Sequence, residues 1–416
     1  MSRRHFLQSI ALSSVGAGAS ILLPFGREAF ALSSESIPTR KKLIVIMLRG
    51  AVDGLSVVAP TSDVNYSRLR PTIALSRPGK ENGAIDLDGY FSLHPALADL
   101  QSLWGEKKLA FVHASGSPDN TRSHFDAQDY METGTPGRKS TDDGWMNRLL
   151  SALPGEKTPT RALAVGPVMP RILSGPTVAT NIANGDGATR ATLLDNPAVG
   201  KAFDQMYQGK TQFAQQYQDS KTAHNDLVKA SKGDKVEMMA SNGAPLPSGF
   251  PGDASRLATM MRNDDRIQMV FMALGGWDTH VNQGNGKGKL ANLLAPLGQG
   301  LATLAKQLES VFENTTIVVM SEFGRTVREN GTGGSDHGHG NLMWLLGGKV
   351  NGGRIHGRWP GLSNEALFEG RDLAVTTDFR SVLAHVAGRH LQLTDQQLAN
   401  VFPSFPTTGD SLNLVA

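Results

Sequence analysis

Apolar residues recur along this chain in two rhythms. Unbroken runs lie at residues 42–48 (KLIVIML), 109–113 (LAFVH), 161–165 (RALAV), 267–274 (IQMVFMAL), 315–320 (TTIVVM) and 341–346 (NLMWLL). Runs without polar alternation suit strands covered on both faces, as in the middle of a parallel sheet. Other segments follow the 3.6-residue period of a helix. Leu97, Leu100, Leu103 and Trp104 share a face behind His94-Pro95, where proline fits a first turn. Leu290, Leu293, Leu294, Leu297, Leu301, Leu304, Leu308 and Val311 do the same over 289–312, as do Phe379, Val382, Leu383 and Val386 between the cap Thr377-Asp378 and Gly388. Ser123 with Asp126 three residues on predicts another helix start, and Asp142-Asp143-Gly144-Trp145 opens a helix through Leu150. Alternation of the two rhythms predicts an α/β fold with a doubly wound, mostly parallel sheet. Residues 42–113 read as its first right-handed β-α-β unit. Residues 61–92 are turn-rich and expected to be irregular, and the polar stretch 195–262, interrupted between 245 and 252, predicts a helical insertion.

Composition changes this picture little, and the N-terminus changes it more. The 416 residues hold 46 Gly, 21 Pro and no Cys, with 39% apolar and 19% charged residues, an ordinary globular balance. The formal charge is +3, but residues 1–31 hold Arg3, Arg4 and Arg27 against Glu28, which leaves +1 for the remainder. That balance implies no polyanionic partner and no nucleic acid. Adjacent Arg3 and Arg4 precede Phe6-Leu7 and a Gly/Ser-diluted apolar stretch, and Ala29-Phe30-Ala31 has the small-x-small form of a cleavage site. This predicts a signal peptide over 1–31, the twin-arginine translocation machinery as partner, a periplasmic or secreted destination, and no transmembrane anchor after cleavage. The lack of cysteine excludes a disulfide framework and a lipid anchor through Cys.

Candidate chemistry gathers just beyond the apolar runs. Asp53 follows the first, Asp278 and His280 follow 267–274, and Glu322, Asp336, His337 and His339 follow 315–320. Ser123 and His124 open the helix after 109–113. Open α/β sheets place ligands beyond the carboxyl ends of their strands, and carboxylate with imidazole is a ligand set for Zn²⁺, Mn²⁺ or Fe²⁺, or for Ca²⁺ or Mg²⁺ where carboxylates dominate. The expected site is a divalent-metal centre of Asp53, Asp278, His280, Glu322, Asp336, His337 and His339, with Ser123 and His124 catalytic. Such a centre predicts a hydrolase in which the metal polarises a phosphoryl, sulfuryl or acyl oxygen and Ser123 or water attacks. Arg122 or Arg325 would clamp an anionic group on the substrate, a small molecule or ester. Simpler roles stand beside these: Asp53 as a turn residue, Ser123 as a helix cap, and Arg122 or Arg325 paired with Glu322 or Asp126. A metal-free triad of Ser123, His280 and Asp336 is a further alternative, against which no G-x-S-x-G elbow surrounds Ser123.

The segments LRGAVDGL, FVHASGSPDNTRSHFDAQDYMETGTPG, GGWDTHVNQG, SEFGRTVRENGTGGSDHGHG and GGRIHGRWPGL together resemble the bacterial family called domain of unknown function 1501. The resemblance implies a fold like that of the alkaline phosphatase and sulfatase superfamily, whose members are metal-dependent hydrolases. It would make Asp53 the first-strand metal carboxylate and Ser123 the nucleophile. Asp278 and His280 resemble the superfamily's Asp-x-x-x-His pair with closer spacing. TIVVMSEFG is similar to its Ser-Asp-His-Gly strand end, but Glu322 stands for the Asp and Phe323 for the His, so that either His337 or His339 would supply the missing ligand or one of two metals would be absent. The activity implied is hydrolysis of phosphate or sulfate esters, and the alternative is a non-catalytic periplasmic binding or assembly protein that keeps the fold.

Overall fold

The computed structural model describes residues 40–185, 242–406 and 412–416, together with residues 201, 204 and 214. Among the described residues nine strands form one sheet: β1 (Lys42–Leu48), β2 (Leu109–Gly116), β3 (Ala162–Val165), β4 (Thr180–Ile182), β5 (Met269–Leu274), β6 (Thr315–Met320), β7 (Asn341–Gly347), β8 (Arg354–His356) and β9 (Thr377–Asp378). Their order is β8-β2-β7-β6-β1-β5-β3-β4, with β9 beside β2. All neighbours run parallel except β7, which is antiparallel to both β6 and β2. The mostly parallel α/β class expected from the pattern is therefore the fold.

Sheet faces explain the unbroken runs. Ile44, Ile46 and Leu48 of β1 point into one core with Val270, Met272 and Leu274 of β5 and Ile317 and Val319 of β6. Leu43, Val45 and Met47 point into the other with Met269, Phe271 and Val318. The first core is closed by α3 (Phe250–Asn263) and α4 (Lys289–Gln307), and the second by α2 (Trp145–Ala152) and α5 (Phe379–His385). Leu290, Leu294, Leu297, Leu301 and Leu304 of α4 are all fully buried, each worth about 1.5–3 kcal/mol of burial.

Three expectations change. β1 and β2 do not form a closed unit, because β6 and β7 lie between them; strands apolar on both faces fit several places in a sheet, and chain order does not choose among them. Short strands Val58–Ala59, Ile85–Asp86 and Ser92–Leu93 pair antiparallel within and around the segment read as irregular. Most of the expected insertion at 195–262 lies outside the described residues, but its end is α3, a helix of the main layer packed against α4. No helix among the described residues is long and apolar enough to cross a membrane.

Directionality places the site. β1, β5 and β6 run parallel with Leu48 opposite Leu274 and Met47 opposite Met320, so their carboxyl ends share one edge. β2 is antiparallel to β7, as β6 is, and ends at the same edge. The loop 321–340 hangs over that edge between β6 and β7. Two glycines permit the crowding: Gly50 has φ of 114° and a Cβ there would meet Asp278 N at 2.8 Å, while a Cβ on Gly324 would meet Gly340 O at 1.8 Å.

Candidate metal centre

Three loops deliver the side chains of the centre to this edge. Ser123 caps α1 (His124–Thr133), accepting from Asp126 N at 3.5 Å, and His124 leaves the first turn toward the loop after β6. Asp278 and His280 come from the loop after β5, and His337 from the loop 321–340. The ligand atoms of His124, Asp278 and His337 lie within 4.8 Å of one another. His337 Nε2 is 3.0 Å from His124 Nε2 and 3.3 Å from Asp278 Oδ1. From the more exposed side, His280 Nε2 lies 3.0 Å from both His337 Nε2 and Asp278 Oδ1.

The other nitrogen of each ring decides what these Nε2 atoms are. His124 Nδ1 meets Glu322 Oε1 at 2.8 Å, His280 Nδ1 meets Asp336 Oδ1 at 3.0 Å, and His337 Nδ1 meets Arg122 O at 2.9 Å. A carboxylate or carbonyl oxygen only accepts, so each Nδ1 carries the proton and donates. In the neutral tautomers all three Nε2 atoms then present lone pairs to each other and to a carboxylate oxygen. Such contacts at 3.0 Å require a proton or a cation between them. Imidazoles held through Nδ1 by carboxylate or carbonyl are also how metal-bound histidines are oriented.

Electrostatics agree. Asp278, Glu322 and Asp336 bring three carboxylates to the imidazoles, with the guanidinium of Arg325 on Asp278 and that of Arg371 on His337 O. Burial pushes against charge on His124, but the neighbouring Asp278 and Glu322 outweigh it and raise its pKa to about 9. Burial alone would raise the Asp278 carboxyl, yet His124, His337 and Arg325 hold it far below the usual range. Glu322, fully buried, is likewise held down against burial, chiefly by His124. The histidine nitrogens and Asp278 Oδ1 thus gather where a proton or a metal ion could be held.

Several predicted ligands are elsewhere. Asp53 is fully buried and occupied: Arg70 Nη1 donates to Oδ2 at 2.5 Å, Nη2 to Oδ1 at 3.0 Å, and Ser56 and Gln283 also donate to Oδ2. It is a structural ion pair and does not reach the centre. Glu322 accepts from Gly50 N, Gln128 and His124, and Asp336 accepts from Asn330 and His280, so both stand behind imidazoles instead of binding a metal directly. His339 stacks on Phe368 with ring centroids 4.6 Å apart, outside the cluster. Phe323 sits under the rings of His124 and His337 at 4.9 and 5.2 Å, a wall where the resemblance places a ligand.

The expected catalytic and anion-binding groups change as well. Ser123 Oγ serves the α1 cap, and His280 Nε2 faces His337 and Asp278, so the Ser123-His280-Asp336 triad does not assemble. Arg122 pairs with Glu369 and Asp372 at 2.6 and 2.7 Å and contributes only its carbonyl to the centre. Arg325 is buried, donating to Gly50 O, Ala51 O, Trp277 O, Ser335 O and Asp278 Oδ1, which ties three loops together. Its partner is Asp278, not Glu322. Asp278 Oδ1 has two lone pairs, so it can serve Arg325 and still face the imidazoles.

Residues missed from the sequence are the supports: Gln128 holding Glu322, Asn330 holding Asp336 and His280 O, and Arg70 neutralising Asp53. A signal existed for Gln128, which lies four residues after His124 and so on the same helix face. None existed for Arg70.

Fold and site together define an α/β protein with a histidine-rich candidate metal centre at the carboxyl edge of a mostly parallel sheet. The chain belongs to the family described as "Protein of unknown function (DUF1501)", whose model matches residues 104–402. No curated protein matches it. Among solved structures it is similar to Ps i-CgsB in complex with k-i-k-neocarrahexaose (11% identity, 88% of this chain, 76% of that one, TM-score 0.42). It is also similar to the C-terminal periplasmic domain of EcEptC from Escherichia coli in complex with Zn (12% identity, 75% of this chain, 74% of that one, TM-score 0.36). A third is a protein in the alkaline phosphatase superfamily from Vibrio parahaemolyticus (10% identity, 74% of this chain, 60% of that one, TM-score 0.34).

Proposed function

We propose that this protein is an exported metal-dependent hydrolase whose single divalent cation is held by His124, Asp278, His337 and His280. The observation that carries the reading is the convergence of three Nε2 atoms and Asp278 Oδ1 while each Nδ1 is held from behind. Three imidazoles and one carboxylate favour Zn²⁺ or Mn²⁺ over Ca²⁺ or Mg²⁺. One cation is preferred to two because Asp53, the carboxylate a second would need, is neutralised by Arg70. The side chains of His280 and Asp278 are 36% and 26% exposed, so the centre opens to solvent, as a catalytic site does and a structural one does not. A bound cation would act there as a Lewis acid on a phosphoryl or sulfuryl oxygen. The chain's own groups set the geometry: Glu322, Asp336 and Arg122 O fix the rings, Arg325 fixes Asp278, and Phe323 keeps water from the inner side. Export by the twin-arginine route, from Arg3-Arg4 and the Ala29-Phe30-Ala31 site, would place the enzyme in the periplasm or outside the cell.

Elemental analysis of protein exported through its native route tests the centre first, with thermal stability before and after chelation and hydrolysis of a panel of phosphate and sulfate esters. One equivalent of metal, lost together with hydrolysis in His337→Ala, is expected. Metal-free protein whose stability chelation leaves unchanged would sink the reading. A second reading, a non-catalytic binding or assembly protein, is favoured by one observation: Ser123 Oγ is spent on the helix cap. Stoichiometric metal without hydrolysis of any ester in the panel, and a biological role that survives Asp278→Ala and His337→Ala, would select it.

A further inference from the structure

We propose that the cavity beside the His280-Asp336 arm of the centre binds an oxyanion through Arg68, Arg328 and Arg371, and that the ligand of this protein carries a phosphate, sulfate or carboxylate there in addition to the group at the histidines. The cavity has a volume of about 260 Å³ and is walled by Asp336, Asn330 and Thr326 on the side of the centre. Those walls are parts of the site: Asp336 Oδ1 holds His280, and Asn330 Nδ2 donates to His280 O. Arg371 Nη2 donates to His337 O, so a guanidinium in the cavity touches the backbone of a ligand-bearing residue.

The cationic charge is available. Among the described residues, Arg68 donates to the neutral amide oxygen of Asn65 and neither Arg68 nor Arg328 forms an ion pair. Arg371 lies 3.5 Å from Asp372, which Arg122 already engages at 2.7 Å. Two carboxylates also line the wall, Glu329, whose Oε2 accepts from Thr72 N, Thr72 Oγ1 and Ile73 N, and Asp336, whose Oδ1 accepts from His280 and Asn330, so the three guanidiniums leave one net positive charge. Guanidinium forks match the oxygens of phosphate, sulfate or carboxylate; Arg68 and Arg328 are exposed, so the contact is open to solvent and weakened by salt. A volume near the small end of ligand pockets suits one compact anionic group and not a long chain.

Anion binding here does not depend on the metal, while its role as the seat for the rest of a substrate rests on the hydrolase reading. Inorganic phosphate is titrated calorimetrically into chelator-treated full chain at low ionic strength, with sulfate and acetate in parallel to rank the oxyanions. Saturable one-site binding is expected, weakened about tenfold or more in Arg68→Ala/Arg328→Ala and only partly in Arg68→Lys/Arg328→Lys, which keep charge but lose the fork. His337→Ala should bind phosphate as the parent does, and the arginine variants should keep the parent's metal content. No saturable binding by the parent, unchanged binding in the double alanine variant, or loss of phosphate in His337→Ala would overturn the proposal. A parent that takes up phosphate but no metal would refute the hydrolase reading alone.

Discussion

Asp53 provides the sharpest test of how the centre is built. The resemblance makes it a metal ligand, and the structure makes it half of a buried ion pair with Arg70, both side chains almost wholly shielded from solvent. Arg70 also donates to Thr326 O and Val327 O at 2.8 Å, so it pins the start of the loop that carries His337. Arg70→Met leaves Asp53 buried and charged with two carbonyls short of a donor, and removing one partner of such a pair costs about 3–5 kcal/mol. Over the roughly 320 described residues, an unfolding entropy of about 2.1 cal/mol/K per residue makes 1 kcal/mol worth about 1.5 °C, so the midpoint should fall by about 4–8 °C. Asp53→Asn keeps the shape, loses the charge, and should cost a similar amount. The assay pairs thermal unfolding at a fixed scan rate with elemental analysis of the same samples. Both variants should bind one equivalent of metal while Asp278→Asn binds none. Loss of metal in Asp53→Asn at unchanged folded content would return Asp53 to the ligand set and refute the argument for one cation.

Glu322→Gln should keep the fold and lower metal affinity by about 10–100-fold, because Oε1 no longer fixes His124 as a charged acceptor; competition with a chromophoric chelator measures it, and unchanged affinity would count against the orienting role. Metal uptake should release protons below pH 9, since His124 is held protonated to about 9 without metal and the cation displaces that proton; affinity should therefore fall as pH falls, checked by titration in two buffers of different ionisation enthalpy. Buried His94, His113 and His390, each pushed down by burial to about 4, stay neutral in the folded chain but protonate near 6.5 when unfolded. Their contribution is complete above pH 6.5 and is lost as pH falls toward 4, with a slope of up to about 1.4 kcal/mol per pH unit for each, visible in denaturant midpoints against pH. Leu301→Ala in α4 should cost about 2–5 kcal/mol and leave the metal content of the folded fraction unchanged.

The strands and main helices were legible because both signals are local. A strand buried on two faces must be apolar throughout, as 42–48 and 315–320 are, and a helix on one face must repeat, as Leu290 to Leu304 do. The loops that bring polar side chains together were legible for a related reason: parallel strands end at one edge, so polar residues just past their ends meet there. Asp278, His280 and His337 meet there as that argument expects, and His124 lies beside them.

Assignment within the site belonged to the tertiary structure. A carboxylate reads the same in sequence whether it faces a metal, an arginine or the back of an imidazole, and those outcomes depend on which partner lies within about 3 Å. Arg70, seventeen residues from Asp53, takes it out of the ligand set; Gly50 N and Gln128 turn Glu322 toward His124 Nδ1; Phe368 takes His339. The sequence alone determined which residues arrive at the sheet edge. Only the fold decided which nitrogens face inward, because that choice is made by the acceptor on the far side of each ring.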